Sequence, residues 1–274
     1  MWGDEARPSE SGIAYRRRGA GGASLVLLHG IPGSAASWEA TTAQLSDDLD
    51  VIVPDLLGFG ASARPMSLDE LHVAAQAEAL DRLLDELGVT SVTVVGHDFG
   101  GPVAVALSAR RPEVVAALGL AATNVFTDTP IPFPLSTVNW PAVGSLSRRA
   151  LFAPMALRMM LRQGVGAGCG PIDPAAHLGD RAQQQAISTI FAGSLTHLEA
   201  LYGPVEAHLP HLEIPVFVGW GDHDPFFPLE QGERVARATH AELRIYPGAG
   251  HFLPHERPGE LATDIASLMS RVRR

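Results

Sequence analysis

The sequence is poor in cysteine. A single residue, Cys169, cannot close an internal disulfide, so no oxidising compartment is implied. It stands in the glycine-rich piece GVGAGCG with no basic neighbour nearby in sequence, and it reads as a loop thiol, not a nucleophile. Basic residues are also scarce. Against 30 Asp and Glu there are 20 Lys and Arg, a formal net charge of −10, which argues against a nucleic-acid partner. The two basic clusters, Arg16-Arg17-Arg18 and the stretch from Arg271 to Arg274, are short and read as a solvated face and a tail. No apolar run approaches the ~18 residues needed to span a bilayer. The opening MWGDEARPSESG carries acids and lacks an apolar core, so it does not read as a secretory leader. The expectation is a cytoplasmic protein without a membrane span.

What is present is material for a core. Hydrophobic residues make up 46% of 274 and charged residues 18%, a balance that fits one α/β domain with an insertion. Short apolar, β-branched runs recur at 24–30, 50–56, 92–98, 115–123, 215–222 and 243–250. They are nearly continuous in hydrophobicity, as strands of a parallel sheet covered on both faces should be. Residues 12–21 are expected to add an antiparallel edge hairpin or strand. Helical patterns fall between the strands. The clearest spans 67–88, with Ser67 as N-cap, Glu70 completing a capping box and Gly88 as the stop. A last helix runs from Pro258 to Val272 with proline in its first turn. The alternation breaks between Val125 and Val205, which carry helical patterns and no convincing strand. Such an insertion would lie over the carboxyl ends of the strands, where ligands bind in open sheets.

Four short pieces stand at those ends: LLHGIPGS, GHDFGG, GWGDHDPFFP and PGAGHF. In the second, Asp98 sits between Gly96 and Gly100, after a buried-type strand and before a helix. Glycines two residues either side of it let strand and helix meet closely around a strained corner. Such a corner presents a carboxylate to something above the sheet.

These pieces resemble the α/β-hydrolase family over nearly the whole chain, in its aspartate-nucleophile branch. The resemblance implies an α/β fold with a mostly parallel twisted sheet and a helical cap inserted after the sixth strand. Core would be 1–124 and 206–274, and cap 125–205. The motif G-x-Nu-x-G falls on Gly96, Asp98 and Gly100, which makes Asp98 the nucleophile. The chain order nucleophile, acid, histidine places the histidine at His251. Both Asp222 and Asp224 follow the strand PVFVGW; the family pattern G-x-x-D-x-x-x-P matches Gly221, Asp224 and Pro228, selecting Asp224 and leaving Asp222 to brace the turn. The acid position after the preceding strand falls among Ala122, Thr123 and Asn124, none acidic. Backbone N–H groups of Ile31 and Phe99 would form the oxyanion hole. His29 and His97, beside motif glycines, read as structural.

Carboxylate attack on an ester would give a high-energy anhydride, whereas attack on saturated carbon gives an ester that water can hydrolyse. The resemblance thus implies epoxide hydrolase or dehalogenase chemistry, without cofactor or metal. Haloalkane dehalogenases carry tryptophan after the nucleophile and often asparagine after HG; here Phe99 and Ile31 stand there. Fluoroacetate dehalogenases place arginines after the nucleophile, and DFGGPVA has none. Epoxide hydrolysis is therefore the leading expectation. A dehalogenase, with Trp140 at its halide site, and a non-catalytic ligand-binding member of the fold are the alternatives. Two cap tyrosines would donate the ring-opening proton, but only Tyr202 falls in the segment, with His197 as a substitute. On a helix Tyr202 shares a stripe with Phe191, Leu195 and Leu198, and His197 shares one with Ile190, Ser194 and Leu201. Pro32, Trp140, Phe191 and Phe252 are expected in the substrate pocket. Phe126, Phe133, Phe152, Met155, Met159 and Met160 add to an apolar lining that suits a small lipophilic substrate. Nothing in the pattern fixes an oligomeric state.

Overall fold

The buried apolar runs, with a half-buried arginine-rich strand at one edge, form one sheet of seven strands among the residues that the computed structural model describes, 5–19, 23–129, 133 and 135–272. Side chains 175 and 176 are outside that set, as are Arg273 and Arg274 of the basic tail. The strands are β1 (Tyr15–Arg18), β2 (Ser24–Leu28), β3 (Asp50–Pro54), β4 (Val92–His97), β5 (Val115–Ala121), β6 (Val216–Gly221) and β7 (Leu243–Tyr246). They lie in the order β1-β3-β2-β4-β5-β6-β7. Only β1 runs antiparallel, pairing Tyr15 with Pro54 and Arg18 with Val51. Its arginines are more than a solvated face: Arg17 grips the buried carboxylate of Asp50 through two hydrogen bonds of 2.7 and 2.9 Å.

Alternate residues of the inner strands feed two cores, as side chains on opposite faces of a pleat must. Val26, Leu28 and Val94 pack with helices α1 (Val73–Glu86) and α2 (Gly100–Arg110) on one face. Leu25, Leu27 and Val95 pack on the other. The predicted helix over 67–88 is two pieces, a turn at Leu68–Leu71 and then α1, broken at the extended residue His72. The Ser67 hydroxyl bonds to the Glu70 carboxylate instead of a backbone amide, so no capping box forms; His72 Nδ1 caps α1 by accepting from the Ala75 N–H at 3.3 Å. Gly88, at φ 65°, ends the segment as expected.

Between β5 and β6 the chain is helical: α3 (Gly144–Leu151), α4 (Pro154–Gln163), a short turn at Pro174–Leu178, α5 (Arg181–Thr196) and α6 (Leu198–His208). This insertion follows the fifth strand of the seven, not the sixth. Among the described residues the segment preceding Tyr15 supplies no strand; it is tied to the sheet by the bridge between Arg7 and Tyr15 and by Ile13, which is buried in the first core. After β6 come α7 (Leu229–Ala238) and, closing the described chain, α8 (Pro258–Val272), whose Leu261, Ile265 and Leu268 fill the second core.

Two buried polar side chains fasten the insertion to the sheet end. Gln183 of α5 donates to the carbonyls of Gly33 and His177 and accepts from the Gly60 N–H at 2.9 Å. Glu256 accepts from the N–H groups of Gly166 and Gly250 with one oxygen and from Phe252 with the other, at 2.8, 2.8 and 2.9 Å. Truncating Glu256 to Ala would leave three donors without an acceptor, each costing ~1–3 kcal/mol. A fall in Tm of about 10 °C or more is expected, measurable by thermal denaturation.

A candidate active site at the carboxyl ends of the strands

The corner after β4 is built by sterics. A Cβ on Gly96 would lie 2.2 Å from the Gly100 carbonyl oxygen, and one on Gly100 2.5 Å from the Leu28 carbonyl oxygen. Between them Asp98 adopts a left-handed backbone, φ 51°, which a residue with a Cβ holds only under constraint. The constraint is visible. The Asp98 N–H donates to Ala121 O, and its carbonyl accepts from the Gly101 N–H and, at 2.6 Å, from the Thr123 hydroxyl. Gly30 is the third tight approach, since a Cβ there would stand 2.4 Å from Asp98 Cβ.

This backbone aims the Asp98 carboxylate between two partners. Oδ1 accepts from the Ile31 N–H at 2.7 Å, and Oδ2 lies 3.4 Å from His251 Nε2. On the far side of the imidazole, Nδ1–H donates to Asp224 Oδ2 at 2.9 Å. The other Asp224 oxygen accepts from the Phe226 and Phe227 N–H groups at 2.8 and 3.0 Å, and the side chain is wholly buried. Asp222 takes a different part: its Oδ1 accepts from the Gly248 N–H at 2.7 Å and braces the turn. The His251 loop is fixed by its own N–H, which donates to Gly164 O at 2.7 Å, and by its carbonyl, which accepts from His97 Nε2 at 2.8 Å. His29 is likewise structural, accepting from the Leu56 N–H. Phe99 follows Asp98 directly and stands at the start of α2.

Charge and burial set the protonation states. Burial opposes charge on His251, but the carboxylates of Asp224 and Asp98 outweigh it and raise the imidazole to about 10. Burial would likewise raise Asp98, yet its hydrogen bond and charge interaction with His251 bring the carboxyl below its ordinary value. His97 is held neutral chiefly by burial, which lowers it to about 4. Burial, and then the charge of Asp98, push the Tyr202 phenol upward and keep its proton in place.

Above Asp98 lies a cavity of about 140 Å³ between the strand ends and the insertion. Of the expected pocket residues, Pro32, Phe191 and Phe252 line it, and so does Tyr202. Two expectations are corrected. His197 is exposed and does not line the cavity, because the chain breaks there between α5 and α6, at φ −127° and ψ 32°. Trp140 is 53% exposed and does not line the cavity. Met155, Met159 and Phe133 also face outward, whereas Met160 lines the cavity and Phe152 stacks on Phe191 at 5.4 Å. Cys169, without a basic neighbour in sequence, has one in space: the Arg257 guanidinium donates to its sulfur at 3.3 Å.

Sequence reasoning overlooked Phe226 and Phe227, which line the cavity, pack edge-on to the His251 ring and bind Asp224 through their amides. Their position directly after the acid was the available signal. Asn124 and Ser194 also line the cavity. The amide of Asn124 is spent locally, accepting from the Phe126 N–H and donating to the Phe126 carbonyl. No group of His, Cys, Asp and Glu among the described residues is placed to hold a metal ion.

Comparison with known proteins agrees with this architecture. The family described as alpha/beta hydrolase fold matches residues 23–145. An uncharacterized protein of Mycobacterium tuberculosis is 30% identical over 270 residues, covering 93% of this chain and 77% of the relative. Epoxide hydrolase 4 of Homo sapiens is 24% identical over 275 residues, covering 92% and 74%. Among solved structures, a haloalkane dehalogenase from Bradyrhizobium elkani superposes with a TM-score of 0.79 at 21% identity, over 95% of this chain and 94% of that one.

Proposed function

As a member of the α/β-hydrolase family the chain is a hydrolase, and we propose that it opens lipophilic epoxides to vicinal diols through a covalent ester on Asp98. The observation that carries this reading is the carboxylate itself, held at the corner with one oxygen on the Ile31 N–H and the other beside His251. With Oδ1 so engaged, Oδ2 attacks a ring carbon and the C–O bond of the epoxide breaks. The departing oxygen takes the phenolic proton of Tyr202. Residues 125–205 act as the cap that brings this phenol over the carboxylate.

Esterification then changes the electrostatics. The negative charge of Asp98 disappears, and with it part of what raises His251, so the imidazolium gives up its proton, which restores the Tyr202 phenol, and the neutral ring is left as the base. It takes a proton from water, whose oxygen adds to Asp98 Cγ. The Ile31 and Phe99 N–H groups receive the oxyanion, each such donor contributing roughly 3–4 kcal/mol to transition-state stabilisation. Collapse expels the diol and leaves the water oxygen in the carboxylate.

The cavity favours this chemistry over halide displacement. Halide release needs N–H donors facing the leaving group, and the cavity holds no tryptophan and no arginine among its described lining. A neutral, apolar substrate fits walls of Ile190, Leu195, Leu198, Phe191 and Phe252. The test is turnover of aryl and alkyl epoxides beside chloro- and bromoalkanes, following diol and halide. Halide without diol would transfer the assignment to a dehalogenase; neither product from any substrate would point to a ligand-binding member of the fold. Tyr202→Phe should slow epoxide opening by about 10²-fold, because the phenol is the general acid assigned to the departing oxygen. Pre-steady-state kinetics check this: ester formation slows while its hydrolysis does not.

A further inference from the structure

The outer face of the insertion has a composition unlike the rest of the surface. From 129 to 172 the sequence contains no aspartate or glutamate, yet it carries Arg148, Arg149, Arg158 and Arg162, in a chain whose net charge is −10. Among the described residues none of these four arginines forms an ion pair, whereas Arg17, Arg64, Arg111 and Arg234 all do.

Apolar side chains stand exposed among them. Leu146 on α3 is 69% exposed, and on α4 Met155 and Met159 are 66% and 52% exposed. On α4 the spacing of Met155, Met159 and Arg162, four and then three residues apart, puts them on one outward stripe with Arg158 beside it. The opposite face of the same helix buries Leu157 and Leu161 and turns Met160 toward the cavity. An ordinary surface helix is polar on its outer face. This one is apolar and cationic there, and α3, packed against it, continues the pattern through Leu146 and Arg149.

We infer that this face docks on an anionic lipid surface. Methionine and leucine side chains enter the acyl boundary while the arginines bind phosphate groups, the pattern of an interfacial helix lying in the plane of the membrane. Arginine suits the task, since its planar fork pairs with phosphate through two hydrogen bonds. A symmetric dimer through the same patch would set arginine against arginine. Nucleic acid would leave the exposed methionines and leucine without a role. No helix among the described residues is long and apolar enough to cross a membrane, so the contact is peripheral. The inference is independent of the reaction proposed for Asp98.

The test is co-sedimentation of the whole chain with vesicles of phosphatidylcholine alone and of equimolar phosphatidylcholine and phosphatidylglycerol. Binding is expected to the anionic vesicles only, weakening as salt rises. Arg149→Glu with Arg158→Glu should weaken it by about tenfold or more. Met155→Ser with Met159→Ser should weaken it at unchanged salt dependence, with thermal denaturation confirming that both variants fold. Absence of binding at low salt, or equal binding to both vesicles, overturns the proposal. So does a dimer in sedimentation velocity that the methionine variant dissociates, which would assign the face to a second copy of this chain.

Discussion

Replacing Asp98 with Asn is expected to lower epoxide turnover by about 10⁴-fold or more, because the amide lacks the carboxylate's nucleophilicity while keeping its shape. The isostere matters here. Gly30 leaves no space for a larger group beside Asp98, and the Ile31 N–H needs an acceptor at Oδ1, which the amide oxygen still supplies. The variant should therefore fold, and its inactivity would be chemical. A second readout separates nucleophile from scaffold. Removing the Asp98 charge takes away one of the two carboxylates that raise His251, so the imidazole should titrate below the wild-type value of about 10. NMR titration of the histidine ring measures that shift without any substrate. An active Asp98→Asn enzyme would dismiss the covalent route.

His251→Gln should separate the two halves of the reaction. Ester formation needs the carboxylate and the Tyr202 proton; hydrolysis of the ester needs a base. Glutamine cannot act as one, and loss of a positioned general base costs about 10²–10⁴-fold. Mixing the variant with an epoxide should leave a substrate-mass adduct on the peptide containing Asp98, readable by mass spectrometry. In wild type, a single turnover in heavy-oxygen water should place the label in the Asp98 carboxyl. Diol formed without label in the protein would mean that water attacks the substrate directly. The same substitution carries a stability signature. A folded value near 10, against an ordinary 6.5, means that protonated His251 stabilises the fold fully below about 6.5, and that this contribution is lost as pH rises through 10. Wild-type Tm should decline between these limits more steeply than that of His251→Gln.

Much of this architecture is legible in the sequence. Strands buried on both faces announce themselves as continuous apolar runs, which marks β2 to β6, and the edge strand β7 is marked by its own short apolar run. The corner was legible because only glycine fits beside Gly100 O and Leu28 O, so sterics write Gly96 and Gly100 into the sequence. The insertion was harder. Placing His197 on a stripe assumed one continuous helix, and the break at that residue turned it outward. Trp140 lies between a short turn of helix and α3, where no periodicity reports direction. Glu256 was inside a stretch already singled out for its histidine, but a charged residue ahead of a proline gives no local sign that three amides converge on it. That convergence is a tertiary fact, set by residues 166 and 250 arriving from different parts of the chain.

Both buried anchors of the insertion end on the loops that hold the reacting groups: Gln183 on the Gly33 carbonyl, two residues beyond the Ile31 amide that grips Asp98, and Glu256 on the amides either side of His251. Seating of the insertion and placement of carboxylate and imidazole are thereby one and the same constraint. A change that loosens either anchor would cost turnover and thermal resistance together, at positions that touch no substrate.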